Sequence, residues 1–263
     1  MNMNVDRLQE GLRTKCFGRN ILFLREVGST NDLAKELAGY GAVEGTVVVA
    51  ETQTCGRGRL DREWISPKGG LWFSIILRPE LKPTEAVRLV FVSGLAVAEV
   101  LRELYGLKVE TKWPNDVLVD GRKVSGILAE MNTTGEGVNF VIIGIGVNAD
   151  FDVEKVFPEE LKEVATSLET EIGGKVQLEA LFRALLEKLE TLYELFLKEG
   201  FGSILKKWKC YATFLGCQVE VSSETEKWFG LALDVDSDGS LVMRLEDGTL
   251  KRVFVGDATL QSK

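Results

Sequence analysis

Residues 140–148, F-V-I-I-G-I-G-V-N, decide the fold, because a nearly continuous apolar run of this length predicts a central strand of a sheet. Upstream of this run, the turn residues Asp120-Gly121 separate two more predicted strands, Lys108–Val119 and Val124–Glu130. The other strands predicted from apolar runs are Ile21–Glu26, Thr46–Ala50 and Leu71–Leu77.

Helices are predicted wherever apolar residues recur at a spacing of about 3.6 residues. Residues 85–105 predict one long packed helix, and residues 178–197 carry a strong pattern of this kind. The segment Ser29-Thr30-Asn31-Asp32 offers N-cap side chains to a helix that begins there. The remaining predictions are helices at Val5–Thr14 and Ile204–Phe214 and an irregular surface excursion at 151–173.

The C-terminal part of the chain has a different sequence pattern. From Gly216 onward, short alternating stretches and the turns Asp238-Gly239 and Asp247-Gly248 predict a small β-barrel. The predicted fold class is therefore α/β or α+β, with an all-β unit after the main domain. The expected boundaries are a short extension at 1–17, the main domain at 18–214 and the barrel at 215–263.

Composition excludes several classes of site. The 263 residues include 40 acidic and 32 basic side chains, which give a formal net charge of −8, and no histidine. Ser-His-Asp and Cys-His catalysis and imidazole metal ligands are therefore excluded. The acidic balance disfavours non-specific wrapping of nucleic acid but allows a local basic patch. The four cysteines contain no C-x-x-C pair, so they indicate neither a zinc site nor a redox dithiol.

Nothing in the sequence indicates a membrane or export segment. No stretch approaches the roughly 20 apolar residues that span a bilayer. Residues 1–16 mix charged and apolar positions and contain no signal-peptide core. We therefore expect a cytoplasmic protein without a membrane partner.

The most informative stretch for function is Gly56–Trp64, G-R-G-R-L-D-R-E-W. Alternating glycine and arginine let the backbone approach a ligand closely while guanidinium groups bind phosphate or carboxylate with two parallel donors. The stretch lacks the third glycine of a dinucleotide fingerprint, and the chain has no G-x-x-x-x-G-K-[ST] loop. By itself, the stretch is equally compatible with a solvated basic hairpin.

Three further segments combine cations, amides and glycines. Lys112–Asp116, K-W-P-N-D, places a cation, an amide and a carboxylate around a proline that fixes a turn. Lys123–Glu130, K-V-S-G-I-L-A-E, places a second lysine at the mouth of an apolar strand, where Gly126 leaves room. Gly144–Asn148, G-I-G-V-N, ends the central strand. Taken singly, they favour a turn, a strand edge and a strand bulge.

Together, in this order and with these gaps, the four segments resemble the biotin protein ligase family. Gly28–Asn31 and Gln53 also match, and the most specific motifs are Gly56–Trp64 and Lys112–Val117. The resemblance covers roughly residues 18–262. It implies a class II synthetase-like mixed-sheet catalytic domain followed by an SH3-like β-barrel.

The resemblance implies a two-step ligase reaction. Biotin and MgATP give biotinyl-5′-AMP and pyrophosphate, and biotin then passes to one lysine of a biotin carboxyl carrier domain as an amide. A carboxylate nucleophile is already ionised at pH 7, so the first step needs no general base and no histidine. It needs cations around the α-phosphate and a site that excludes water.

The resemblance also assigns roles to single residues. Lys123 is expected to bridge the biotin carboxylate and the α-phosphate, and Arg59 to hold the adenylate most tightly. The expected catalytic residues are Lys123, Arg59, Lys112, Asn115 and Asp116, with Mg²⁺ entering with ATP and no dedicated protein ligands assigned to it. The expected biotin-binding residues are Ser29, Thr30, Asn31, Gln53, Arg57, Gly58, Arg59, Lys123, Gly126, Leu128 and Gly144. The expected ATP-binding residues are Arg59, Arg62, Trp64, Lys112, Asn115 and Asn148.

The chain departs from the family pattern in two places. Asp61 and Glu63 interrupt the basic loop where the family often has glycine and lysine, which predicts weaker retention of the adenylate. The adenine-stacking aromatic of some members has no obvious match in 151–173 beyond Phe151 and Phe157.

Partner expectations also follow from the resemblance. Some members carry an N-terminal helix-turn-helix of about 60 residues, and fewer than about 20 residues precede the first predicted strand here. We therefore expect a ligase that does not bind DNA. The exposed edge of a mixed sheet, together with the resemblance, favours a homodimer.

Two alternatives stay open at the level of sequence. A lipoate-protein ligase or octanoyltransferase shares the catalytic fold, although those families lack the G-R-G-R-x-x-R-x-W loop. A non-catalytic module that senses biotin or nucleotide could retain the pocket without turnover.

Overall fold

The described part of the chain, in a computed structural model, comprises residues 4–135, 137–223 and 226–260, without the side chain of Asp61. The expected boundaries at residues 1 and 263 lie outside it. The strands of the main sheet are β1 Ile21–Val27, β2 Val47–Gln53, β3 Leu71–Leu77, β4 Val109–Lys112, β5 Asp116–Val119, β6 Arg122–Thr134 and β7 Gly137–Val147.

The main sheet is mixed, as the sequence predicts. Its strand order is β1-β2-β3-β7-β6-β5-β4, so the predicted central strand, β7, lies in the middle. Among these strands, β1 and β2 run parallel and the other neighbours run antiparallel.

Helices cover both faces of this sheet. Residues that alternate along β7 belong to two separate cores, with Ile143 and Ile145 in one and Phe140 and Ile142 in the other. Burial on both faces explains the nearly continuous apolar sequence of this strand. The helices are α1 Val5–Gln9, α2 Thr30–Gly39, α3 Pro83–Ala86, α4 Leu89–Tyr105, α5 Val153–Val156, α6 Glu159–Lys162, α7 Leu168–Ile172, α8 Leu178–Glu199 and α9 Phe201–Lys209.

Two predictions of continuous elements are wrong. The helix predicted at 85–105 is broken between Ala86 and Leu89 into α3 and α4. The strand predicted at 108–119 is divided into the antiparallel pair β4 and β5, because Pro114 cannot donate to a strand ladder and forces a turn.

Other bounds differ by a few residues. The helix α1 ends at Gln9, five residues short of the predicted end, and Gly11 follows in the left-handed region with a φ of 76°. The helix predicted at 204–214 runs instead from Phe201 to Lys209.

The C-terminal residues form a second, all-β sheet, as the alternating pattern predicts. Its five strands are antiparallel and follow the order β11-β10-β9-β8-β12. Trp113 joins it to the main sheet, because its indole N–H donates to the carbonyl of Gly239 at 2.9 Å. The strands are β8 Gln218–Ser222, β9 Lys227–Val235, β10 Leu241–Leu245, β11 Leu250–Val253 and β12 Asp257–Leu260.

Candidate active site

One cavity of about 240 Å³ gathers nearly all the residues that the sequence singles out. An ordered water needs roughly 15 Å³, so this volume suits an organic ligand. Lys112 does not line the cavity. It lies opposite Asp116 in the β4–β5 pair, and Asp116 does line the cavity. The predicted residues that line the cavity are Ser29, Thr30, Asn31, Gln53, Arg57, Gly58, Arg59, Arg62, Trp64, Asn115, Asp116, Lys123, Gly126, Leu128, Gly144 and Asn148.

The start of α2 supplies one polar end of the cavity. The Ser29 hydroxyl caps the helix by accepting from the backbone N–H of Asp32 at 3.4 Å. Gln53 on β2 accepts from both the backbone N–H and the hydroxyl of Thr30, at 2.8 and 3.1 Å. Its amide nitrogen donates to Ser66 at 2.8 Å. These hydrogen bonds hold small polar groups in fixed positions inside an otherwise apolar pocket.

Asn31 stands on the floor of the same end. Its side-chain nitrogen donates to Glu130 at 2.8 Å, and its side-chain oxygen Oδ1 accepts from the hydroxyl of Ser74 at 2.6 Å. A Cβ at position 144 would lie 2.1 Å from the carbonyl oxygen of Asn31, so only glycine fits there. Sequence reasoning missed Ser74 and Glu130 as site residues, although Ser74 is a polar residue within an apolar strand.

The indole of Trp64 lies against two glycines that face each other on β6 and β7. A Cβ on Gly126 would come within 2.9 Å of the ring, and one on Gly146 within 2.6 Å of Nε1. The ring also contacts Trp72 edge-on at 6.3 Å between centroids. Glycine at both positions is therefore required for this placement of Trp64.

Lys123 lies between the loop that carries Trp64 and the strand β5. Its ammonium is 2.6 Å from Asp116 Oδ1 and 5.0 Å from the centroid of the Trp64 ring. Its backbone N–H donates to Val164 at 2.8 Å, and its carbonyl accepts from Thr166 at 2.9 Å. These two backbone hydrogen bonds fix the main chain of Lys123, and Asp116 and Trp64 contact its ammonium.

The prediction that 151–173 is only a surface excursion is wrong. Besides pairing with Lys123, this segment contributes Phe157 to the cavity and packs Phe151 on Trp72 at 6.4 Å between centroids. Side-chain periodicity could not reveal this, because the segment holds Lys123 through backbone hydrogen bonds. Of the two aromatics weighed from the sequence, Phe157 is the one that lines the cavity.

Two arginines of the 56–64 loop reach the C-terminal sheet. Arg59 donates to the Asn115 amide oxygen at 3.1 Å, to Asp257 Oδ1 at 3.1 Å and to the Gly256 carbonyl at 3.2 Å. Arg62 pairs with the second oxygen of Asp257. Sequence reasoning missed Asp257, because it lies on β12, 198 residues from Arg59.

The electrostatics of this region favour an anion. Burial lowers the pKa of Arg59, an effect that Asp257 and Asp116 partly oppose. Burial also lowers the pKa of Lys112, and Asp116 again partly opposes it. Four cations, the two arginines and two lysines, therefore lie around these two carboxylates, an arrangement that suits phosphate and carboxylate groups. The cations are Arg59, Arg62, Lys112 and Lys123.

Arg57 of the same loop pairs with a different set of carboxylates, Asp32 and Glu130. Its guanidinium donates to both oxygens of Glu130 at 3.0 and 3.1 Å and also pairs with Asp32. Partial burial acts to lower its pKa, but these hydrogen bonds raise the pKa of Arg57 above its ordinary value. Glu63 lines the cavity beside it.

Asn148 supplies an unused acceptor in the cavity wall. Its amide nitrogen donates to the Thr166 carbonyl at 2.9 Å. Its Oδ1 is buried, and no hydrogen-bond partner for it is present in the described part of the chain. A ligand with an N–H donor would satisfy this oxygen.

The cavity as a whole has two chemically different ends. Small hydroxyls and amides stand at one end, glycines and aromatic rings line the middle, and cations collect at the other. Such a site fits an elongated ligand with a polar ring at one end and an anionic group at the other.

Comparison with known proteins places this site among ligases. Residues 24–148 match the profile of the biotin/lipoate A/B protein ligase family. The bifunctional ligase/repressor BirA of Bacillus spizizenii is 35% identical over 259 residues, which span 98% of this chain and 79% of the relative. The biotin–[acetyl-CoA-carboxylase] ligase of Paracoccus denitrificans is 33% identical over 223 residues, or 84% of this chain and 92% of the relative.

A solved structure is similar over nearly the same range. A biotin protein ligase from Aquifex aeolicus, in complex with biotin and ATP, is 31% identical and superposes with a TM-score of 0.78. The match covers 93% of this chain and 100% of that one. The similarity therefore includes both sheets and the cavity between them.

Proposed function

This chain belongs to the biotin/lipoate A/B protein ligase family, and from that membership we propose how its cavity performs the reaction of an ATP-dependent biotin protein ligase. The enzyme activates biotin as biotinyl-5′-AMP and transfers biotin to a lysine of a biotin carboxyl carrier domain. Biotin and ATP are its substrates. The observation that carries the proposal is the cavity with hydrogen-bonding groups at one end and clustered cations at the other.

The polar end receives the ureido ring of biotin. Ser29 and Thr30 are buried and Gln53 is half-buried. Hydrogen bonds already orient them, between Thr30 and Gln53 and from Asp32 to Ser29, so binding orders few additional groups. Arg57 and Gly58 bring the loop backbone over the ring. The sulfur-containing ring and the aliphatic chain occupy the slot that Gly126, Leu128 and Gly144 line, and Asn31 meets the ureido ring beside it.

The cationic end carries the first chemical step. A biotin carboxylate oxygen attacks the α-phosphorus of ATP, a new P–O bond forms, and the bond from the α-phosphorus to the oxygen bridging the β-phosphate breaks. Lys123 bridges the two reacting anions, and Arg59 and Lys112 stabilise the charge that develops on the phosphate oxygens. Pyrophosphate leaves.

The second step takes place at the same cationic end of the cavity. The neutral amine of the carrier lysine attacks the carbonyl carbon of the adenylate, a C–N bond forms, the C–O bond to AMP breaks, and the nitrogen releases one proton to water. Asn115 and Asp116 lie where they can orient this amine, because Asn115 contacts Arg59 and Asp116 contacts Lys123.

ATP binds with Mg²⁺ as a single substrate. Asp116 and Asn115 supply oxygen atoms near the phosphates, the kind of ligand that Mg²⁺ prefers. We assign Trp64, Arg62 and Asn148, which line the cavity, to nucleotide binding. The buried free oxygen of Asn148 accepts from the adenine amino group.

The architecture supports finer assignments. The mixed sheet with residues 18–214 acts as a class II synthetase-like catalytic domain, and residues 215–263 act as an SH3-like barrel. The strands β1 and β4 stand at the two ends of the main sheet within the described residues. A homodimer formed through the β1 edge accords with this, and light scattering on the purified protein tests it.

A cytoplasmic location is part of the proposal, and the state of the cysteines accords with it. Cys16, Cys55, Cys210 and Cys217 are free thiols, which suits the reducing cytoplasm. No helix in the described ranges has the length and apolarity to span a membrane. A ligase that does not bind DNA accords with the net charge of −8, although the Bacillus relative is named both ligase and repressor.

One assay tests the function directly. Pyrophosphate release is measured with biotin or with lipoate, in the presence and absence of a biotin carboxyl carrier domain. A biotin protein ligase releases pyrophosphate with biotin and becomes multiple-turnover when the carrier is added. Release with lipoate alone indicates the lipoate ligase alternative, and no release with either acid indicates a sensing module.

A further inference from the structure

Glu130 joins three parts of the pocket without lining it. Its oxygens accept from Asn31 of α2 at 2.8 Å and from Arg57 of the 56–64 loop at 3.0 and 3.1 Å, while its own backbone belongs to β6. The Glu130 side chain is 21% exposed. It is not one of the residues that line the cavity, so it acts on a ligand only through these partners.

The carboxylate of Glu130 decides which way the Asn31 amide points. Asn31 is 4% exposed, and its nitrogen faces Glu130 while its oxygen faces Ser74 and Gly144 on the pocket floor. In the opposite orientation, the amide oxygen would face the carboxylate, and no proton would lie between the two acceptors. An unpaired buried acceptor of this kind is costly, so the carbonyl is held towards the pocket.

We propose that Glu130 is a positioning residue that makes the pocket selective for a cyclic urea by fixing the Asn31 carbonyl as a hydrogen-bond acceptor. The inference rests on the proposed function. The ureido ring of biotin offers N–H donors to this acceptor, whereas a lipoyl or octanoyl chain offers none. A site built around an oriented polar group rejects a ligand that leaves the group unsatisfied.

Arg57 provides a second route by which Glu130 could act, and the chain offers a control for it. Asp32 also pairs with Arg57, but its side chain is 56% exposed and it does not hold the Asn31 amide. Asp32→Asn therefore weakens the charge around Arg57 and leaves the Asn31 contact intact. Glu130→Gln also removes one negative charge beside Arg57, but its side-chain amide oxygen can still accept from Asn31.

The test measures biotin affinity by calorimetry without ATP, together with KM and kcat. Glu130→Ala should weaken biotin binding at least about tenfold, while KM for ATP and kcat at saturating biotin stay within about threefold. Glu130→Gln should recover most of the affinity, and Asp32→Asn should resemble the wild-type chain. Wild-type affinity in Glu130→Ala, or a loss in Glu130→Gln or Asp32→Asn as large as that in Glu130→Ala, would overturn the inference.

A swap of partners gives an independent test that does not depend on Glu130→Ala being folded. Asn31→Asp alone places two carboxylates side by side and should weaken biotin binding. Adding Glu130→Gln restores a hydrogen bond across the pair and should recover affinity; no recovery contradicts the positioning role. Failure of the proposed function looks different, because the wild-type chain would then release no pyrophosphate with biotin.

Discussion

Replacing Lys123 with alanine tests the centre of the proposed reaction. The Lys123 ammonium is 2.6 Å from Asp116 and its side chain is 31% exposed, so it is a partly buried cation at the anion-binding end. The backbone of Lys123 is held by Val164 and Thr166 through main-chain atoms. Alanine keeps those hydrogen bonds, so the change removes the charge and leaves the strand in place.

The expected magnitude follows from what the charge does in the transition state. Removing one preorganised group that stabilises developing negative charge costs about 2.7–4 kcal/mol, or roughly two to three decades in kcat. Lys123 is partly solvated and Arg59 stands nearby, so we expect the lower end, about a hundredfold loss. Biotin affinity should fall less than the rate, because Lys123 contacts only the biotin carboxylate when biotin binds without ATP, whereas in the reaction it also contacts the α-phosphate.

The assay is single-turnover formation of biotinyl-5′-AMP, with the fold checked by circular dichroism. Lys188→Ala is the matched control, because Lys188 is a lysine with a 23% exposed side chain that pairs with Glu99 and Glu103 away from the cavity. The control should keep the wild-type rate. Adenylation by a folded Lys123→Ala variant within threefold of wild type would refute the bridging role.

Three further predictions concern the basic groups around the phosphate. Arg59→Gly should still form the adenylate but release it, because a closing loop sequesters this product without making the bond; bystander lysines should then become biotinylated, and labelling confined to the carrier would contradict this. Because burial lowers the pKa of Lys112, the rate should fall at a lower pH than for an ordinary lysine, and Lys112→Arg should move this alkaline limit upward; an unmoved limit would exclude Lys112 as its source. Duplex DNA should bind with a dissociation constant weaker than ~10⁻⁴ M at physiological salt, because Arg57, Arg59 and Arg62 are already paired with carboxylates; submicromolar binding in an anisotropy titration would refute it.

Motifs that are contiguous in the chain could be predicted well from the sequence. The central strand was predictable because both of its faces are buried, which leaves a continuous apolar run. Gly126 and Gly144 were predictable as points of close approach, and Trp64 and Asn31 now account for them. The break in the helix was not predictable, because the pattern around Val87 continues the helical period across it. The break between β4 and β5 was marked in the sequence by Pro114.

The partners of the loop arginines were not predictable, because they are far away in sequence. Asp257 is 198 residues from Arg59, and Glu130 is 73 residues from Arg57. Local periodicity and spacing contain no information about such pairs. The strand order of the main sheet and the contacts between the two sheets bring these residues together, so the ion pairs depend on the tertiary structure.

Asp116 and Asp257 oppose the mutual repulsion of the cations that cluster at the cavity. Four cations close together would repel one another and would lose hydration without compensation. Asp116 pairs with Lys123, and Asp257 pairs with both Arg59 and Arg62, so these cations remain oriented. We expect a substrate carboxylate and phosphate to compete with these carboxylates for the same cations. Since Asp257 belongs to the second sheet, the exchange at Arg59 links nucleotide binding to the contact between the two sheets.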